Sequence, residues 1–198
     1  MKNNRRAVPG TPVYALILLA SLLAGGLAGC GKGAAGDVRS YRGSEPLLAA
    51  SFDYPAAWKL KEDRGEREPY AQAAAFGPRN RAGTFTPAFV VRGVPAELYG
   101  SLQEYRDSYL SHLYKAPVID HAGSAAVDGR PALDVTVDYT MPALHKPGLK
   151  NEEVPLRARL VFVRNGQALY LVAHIADRRQ FKEHTPAFDK LLRSLRFQ

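Results

Sequence analysis

One cysteine, five histidines and two aspartates spaced four apart are the residues from which this 198-residue chain could build a reactive site. A single Cys, Cys30, permits neither a disulfide within the chain nor a cysteine-based zinc site. His112, His121, His145, His174 and His184 are scattered without ligand spacing, which implies no metal site. His174 reads as a packed or solvent-facing strand residue. Asp134 and Asp138 share one face of an alternating segment, so they stand about 13 Å apart on a strand. A glycosidase pair needs roughly 5–9.5 Å. They read as a solvated strand face, with weak calcium binding as the alternative. The patterns G-x-S-x-G, S-x-x-K, H-E-x-x-H and C-x-x-C are missing from the sequence. Gly31 to Gly36 matches G-x-G-x-x-G and Gly26 to Lys32 matches G-x-x-x-x-G-K, but neither sits between a strand and a helix as phosphate binding requires. The expectation is a non-enzymatic protein with no cofactor.

The surroundings of Cys30 are more informative. Lys2, Arg5 and Arg6 precede an apolar run from Val13 to Leu27, which ends in Leu27-Ala28-Gly29-Cys30. These four residues resemble the lipobox of bacterial lipoproteins at every position. The resemblance implies cleavage after Gly29 and acylation of Cys30, so residues 1–29 are read as a signal peptide. The physics agrees: about 15 apolar residues are short for a spanning helix, whereas several acyl chains together hold a protein on a bilayer. Gly31 after the cysteine resembles the default signal for the outer membrane, facing the periplasm, in a Gram-negative cell. In a Gram-positive cell the anchor belongs to the outer face of the plasma membrane. Residues 30–46 are read as a glycine-containing tether and 47–198 as one domain.

The elements follow from periodicity. Leu47 to Tyr54, Tyr70 to Phe76 and Phe85 to Val94 read as strands, with the charged Lys61 to Pro69 as a solvated loop. Ser101 and Glu104 form a capping box, behind which Leu102, Tyr105, Tyr109 and Leu113 make a helix over 101–115 with the two tyrosines in its core stripe. Val118-Ile119 and Ser124 to Val127 suggest a short strand, which leads through the Asp128-Gly129 turn to an alternating strand from Ala132 to Tyr139. A long loop, Met141 to Glu153, follows. Asn165-Gly166 joins two further strands as a hairpin. Thr185-Pro186 restarts a last helix with Phe188, Leu191, Leu192 and Leu195 on its apolar face. The class is α+β: an antiparallel sheet packed between helices.

Ser51-Phe52-Asp53-Tyr54-Pro55-Ala56-Ala57-Trp58 resembles the opening F-x-Y-P-x-x-W of PsbP-type domains, and Leu191 to Phe197 resembles their closing helix. The resemblance implies an α/β/α sandwich used mostly for binding, with no catalytic residues to transfer.

The net charge of +8 is unevenly placed. Three positive charges leave with the signal peptide, residues 30–156 sum to −1, and residues 157–198 carry +6. Arg157, Arg159, Arg178, Arg179, Lys182 and Arg193 are therefore the candidate face for an anionic partner, whether lipid, polymer or envelope protein. Export argues against nucleic acid. The reading is a membrane-anchored envelope lipoprotein acting as a binding or assembly module. An envelope hydrolase with an unseen carboxylate site, and a small-ligand or metal carrier, are the alternatives.

Overall fold

A computed structural model describes residues 37–65, 69–143 and 153–198. Leu27, Ala28, Gly29, Cys30, His145 and most of the 141–153 loop lie outside the described residues.

The central feature is a seven-stranded antiparallel sheet in the order β3-β4-β5-β9-β8-β7-β6. Its strands are β3 (Lys59–Arg64), β4 (Ala71–Phe76), β5 (Ala88–Pro95), β6 (Val118–Val127), β7 (Arg130–Pro142), β8 (Glu153–Asn165) and β9 (Ala168–Asp177). A second sheet has the order β1-β2-β10, from β1 (Val38–Arg42), β2 (Ala50–Pro55) and β10 (Arg196–Phe197). Helices α1 (Leu102–Ser111) and α2 (Phe181–Ser194) cover opposite faces of the large sheet.

Period-2 alternation builds both cores at once. On β8, Leu156, Ala158, Leu160 and Phe162 point to the α1 side, where Tyr105 meets Phe162 edge-on at 5.5 Å. Val161 and Val163 point to the other side, which is filled by Phe188, Leu191 and Leu195 of the α2 segment and by Phe52, Tyr54 and Phe197 of the small sheet. Thus α2 and the small sheet form one layer, and α1 forms the other. Two hairpin turns set the register of the wide half. Asp128 (φ 49°) and Gly129 (φ 72°) both have positive φ, as a type I′ turn demands. At the second turn the expected Asn165-Gly166 pair is shifted by one: Asn165 pairs with Ala168, and Gly166 (φ 56°) is the first of two loop residues.

Four expectations are corrected. Residues read as tether contain β1, whose Val38 to Arg42 pair with Pro55 to Ser51; paired structure thus starts eight residues after Cys30. The Lys61–Pro69 loop contains most of β3, an edge strand whose charges hid its strand character. The short strand suggested by Val118-Ile119 and Ser124 to Val127 is a ten-residue strand with a bulge at Asp120. Pro186 does not start α2 but lies inside it. The helix runs through because Phe181, Phe188 and Leu191 keep one buried face across the proline, and the Thr185 hydroxyl donates to the Phe181 carbonyl at 3.1 Å.

The capping box of α1 is present in altered form. Ser101 Oγ accepts from the Glu104 amide at 3.0 Å, while the Glu104 carboxylate accepts from the Gly100 amide at 2.8 Å.

Candidate functional site

The β7–β8 register decides what the charged residues can do. Asp138 stands directly opposite Arg157, and Asp134 is one diagonal step from Arg159, all on the α2 side of the sheet. Arg157 donates from Nε and Nη2 to the two oxygens of Asp138, both at 2.8 Å, and its guanidinium holds the Asp138 carboxyl below the usual range. Arg178 approaches the same carboxylate at 3.3 Å, and Asp120 approaches Arg157 at 3.4 Å. Arg159 bridges two elements: it binds Asp134 at 2.7 Å and Asp189 of α2 at 2.8 Å. Asp134 is only 7% exposed.

The wet strand face expected around Asp134 and Asp138 is therefore a half-buried ion-pair ladder beneath α2. Of the six basic residues expected to form an anionic-partner face, Arg157, Arg159 and Arg178 are committed to internal carboxylates. Arg179, Lys182 and Arg193 are exposed and have no ion pair among the described residues. Sequence reading erred here because it counted charge without the register that cancels it.

His174 has the most unusual surroundings of any titratable group described. It is 0% exposed, with its ring stacked on Phe181 at 4.3 Å and flanked by Phe89 and Phe188. Neither ring nitrogen has a hydrogen-bond partner. Burial pushes its pKa down to about 3, helped by His184 and Arg159. His184, itself edge-on to Trp58 at 5.3 Å, is pushed down by burial too. This neutral pair packs α2 onto the sheet. Among the described residues no three His, Cys, Asp or Glu side chains gather as metal ligands. Tyr105 is core, as its spacing implied, and Tyr99 lies against it at 4.8 Å.

Two surfaces are less committed. The outer face of the α2 layer carries exposed cations. The other is β6, the terminal strand of the large sheet, exposed from Val118 to Ser124, with Val118 at 68% and Ile119 at 55%. Sheet edges are normally blunted by charge. The opposite edge, β3, obeys: it carries Lys59, Lys61, Glu62, Asp63 and Arg64. Strand β6 carries neither Lys nor Arg, and from Ala122 to Ala126 it is all small residues. That contrast was readable in the sequence, but only a known strand order makes 118–127 an edge.

No protein-family model matches the chain, and no curated protein matches it. Solved structures are similar in fold at low identity. A Pseudomonas aeruginosa protein of unknown function is 16% identical, with 78% of this chain and 92% of that one covered and a TM-score of 0.47. LpqN of Mycobacterium tuberculosis, involved in cell envelope biogenesis, is 11% identical over 80% and 89%, with a TM-score of 0.49. Cyanobacterial PsbP (CyanoP) from Synechocystis is 14% identical over 87% and 99%, with a TM-score of 0.48. The α+β class stands on the strand register and the two layers themselves. No helix among the described residues is long and apolar enough to cross a membrane.

Proposed function

We propose that this protein is an envelope lipoprotein, held on a membrane through acylated Cys30, that works by binding a partner rather than by turnover. The observation that carries the binding role is the β6 edge, which beyond its bulge at Asp120 has neither Lys nor Arg and only small residues from Ala122 to Ala126. An extended segment of an envelope protein with small side chains adds to it as an eighth strand: main-chain hydrogen bonds supply affinity, and the exposed Val118 and Ile119 supply apolar contact. The carboxylates a hydrolase would draw on, Asp134 and Asp138, are held by Arg159 and Arg157, which favours binding over acid–base chemistry.

Photo-crosslinking in cells tests the edge. A photoreactive residue at Ser124 on β6 should give a discrete adduct, absent from the same probe at Glu62 on β3. Adding Ile119→Lys should abolish that adduct without lowering the melting temperature. Equal adducts from both edges, or none from β6, would reject the reading.

A further inference from the structure

The outer surface of the layer made by α2 and the small sheet collects exposed cations, of which Arg196 alone has an ion pair among the described residues, a long one to Asp128 at 3.8 Å. Lys182, Lys190 and Arg193 recur on the helix face opposite Phe181, Phe188 and Leu191 and are all exposed. From Lys182 to Arg193 the stripe runs about 16 Å at 1.5 Å per residue. The small sheet extends it. Strand register places Arg42 and Arg196 on either side of Ser51, on the face opposite buried Tyr41 and Phe52. Arg196 Nη1 donates to the carbonyls of Arg193 and Leu195, which keeps its guanidinium beside the last turn of α2. Arg193 and Arg196 line a cavity of about 420 Å³ with Asp128 and Gly129.

Most of the carboxylates on this surface are already engaged. Asp189 binds Arg159, Glu183 lies 3.7 Å from Arg81, and Asp128 binds Arg130 at 2.6 Å and reaches Arg196 only at 3.8 Å; Asp53 keeps its charge and accepts from Ser40 at 2.7 Å. Five cations therefore face outward on one layer. That layer is also where the chain enters the fold. Val38 stands eight residues after Cys30, a covalent reach of at most about 29 Å.

We propose that this basic plate lies against the anionic phosphate headgroups of the membrane that holds the acyl chains, and so fixes the orientation of the domain. The inference rests on the lipid anchor at Cys30. The acyl chains supply attachment; the plate turns the α2 layer toward the bilayer and the α1 layer away, leaving β6 at the side. The cations are spread along a helix face and a sheet, a span that matches several headgroups rather than one soluble anion. Each Lys or Arg near an anionic surface adds about fivefold in surface affinity.

The test uses the mature chain reconstituted in vesicles of phosphatidylcholine alone, or of phosphatidylcholine with about one-quarter phosphatidylglycerol. With Cys30 acylated, a thiol introduced by Pro186→Cys on the plate, or by Gln103→Cys on α1, is the only one available to a fluorophore. Quenching by a headgroup spin-labelled lipid should be about threefold stronger at position 186 in the anionic vesicles than in the neutral ones, and unchanged at position 103. Arg42→Gln, Lys190→Gln and Arg193→Gln together, or about 0.5 M NaCl, should remove the difference. Equal quenching at position 186 in both vesicles would overturn the plate while leaving the anchor intact. Release by inorganic phosphate beyond that given by chloride of equal ionic strength would assign the cations to a soluble anion and overturn it too. A chain that does not float with either vesicle would overturn the anchor, and the plate with it.

Discussion

His174 shows how far a single side chain can depart from its usual chemistry when packing claims it. Its ring is sandwiched among Phe89, Phe181 and Phe188 with both nitrogens unpaired, an arrangement that only the neutral form tolerates. The unfolded chain binds a proton at a pKa near 6.5, whereas the folded chain resists until about 3. Between these values the unfolded state holds more protons, so stability is complete above about pH 6.5 and is lost as pH falls, by about 1.4 kcal/mol per pH unit for one proton. His184, shifted in the same direction, steepens the loss. Of the other groups that face His174, Arg159 stays charged throughout. Asp138, two strands away on β7, is depressed by Arg157 and acts only at lower pH. Urea unfolding of the wild type should therefore lose about 2 kcal/mol between pH 7 and 5, and His174→Leu should lose less than half of that. Identical slopes in the two proteins would contradict a buried neutral imidazole. Sequence alternation could place His174 on a face of its strand. It could not say that α2 would close over that face, because the closing aromatics come from β5 and α2, about 90 residues apart in the chain.

At the scale of elements, what was legible was whatever is encoded locally. The Ser101 cap, the Asp128-Gly129 turn, and the alternation of β7, β8 and β9 all announce themselves within a few residues. Three elements did not. Strand β3 is charged because it is an edge, β1 is paired only through β2, and α2 crosses Pro186 because its buried face continues beyond it. The ion-pair ladder was hidden for a related reason: the partners are 19 and 25 residues apart, and only the β7–β8 register brings them together. Contact between layers has its own checkpoint at Gly93 on β5. A Cβ there would lie 1.7 Å from the carbonyl oxygen of Leu47, in the turn that leads into β2. Backbone cannot yield as a side-chain tip can, so Gly93→Ala should cost about 3 kcal/mol or more. Gly123→Ala on the exposed β6, where a Cβ meets only the His121 ring at 3.0 Å, should cost less than about 1 kcal/mol. Denaturant midpoints for the two variants measure the difference, and equal costs would argue against close docking of the small sheet.

For the whole molecule, the net charge of +8 divides into parts with different fates. Some arginines staple β7, β8 and α2 together from within. Others lie on the outer face of α2 and the small sheet, the layer that contains β1. The large sheet meanwhile presents one edge rich in charge, β3, and one made largely of small residues, β6. The proposal of a membrane side and a recognition side builds on these asymmetries, and it depends on acylation of Cys30. Mass spectrometry of the intact protein isolated from membranes measures it directly. The account predicts a mature chain that begins at Cys30 and carries diacylglyceryl and acyl mass on that residue, both lost in Cys30→Ala. A mature N-terminus at any other residue, or a free thiol at Cys30, would contradict it.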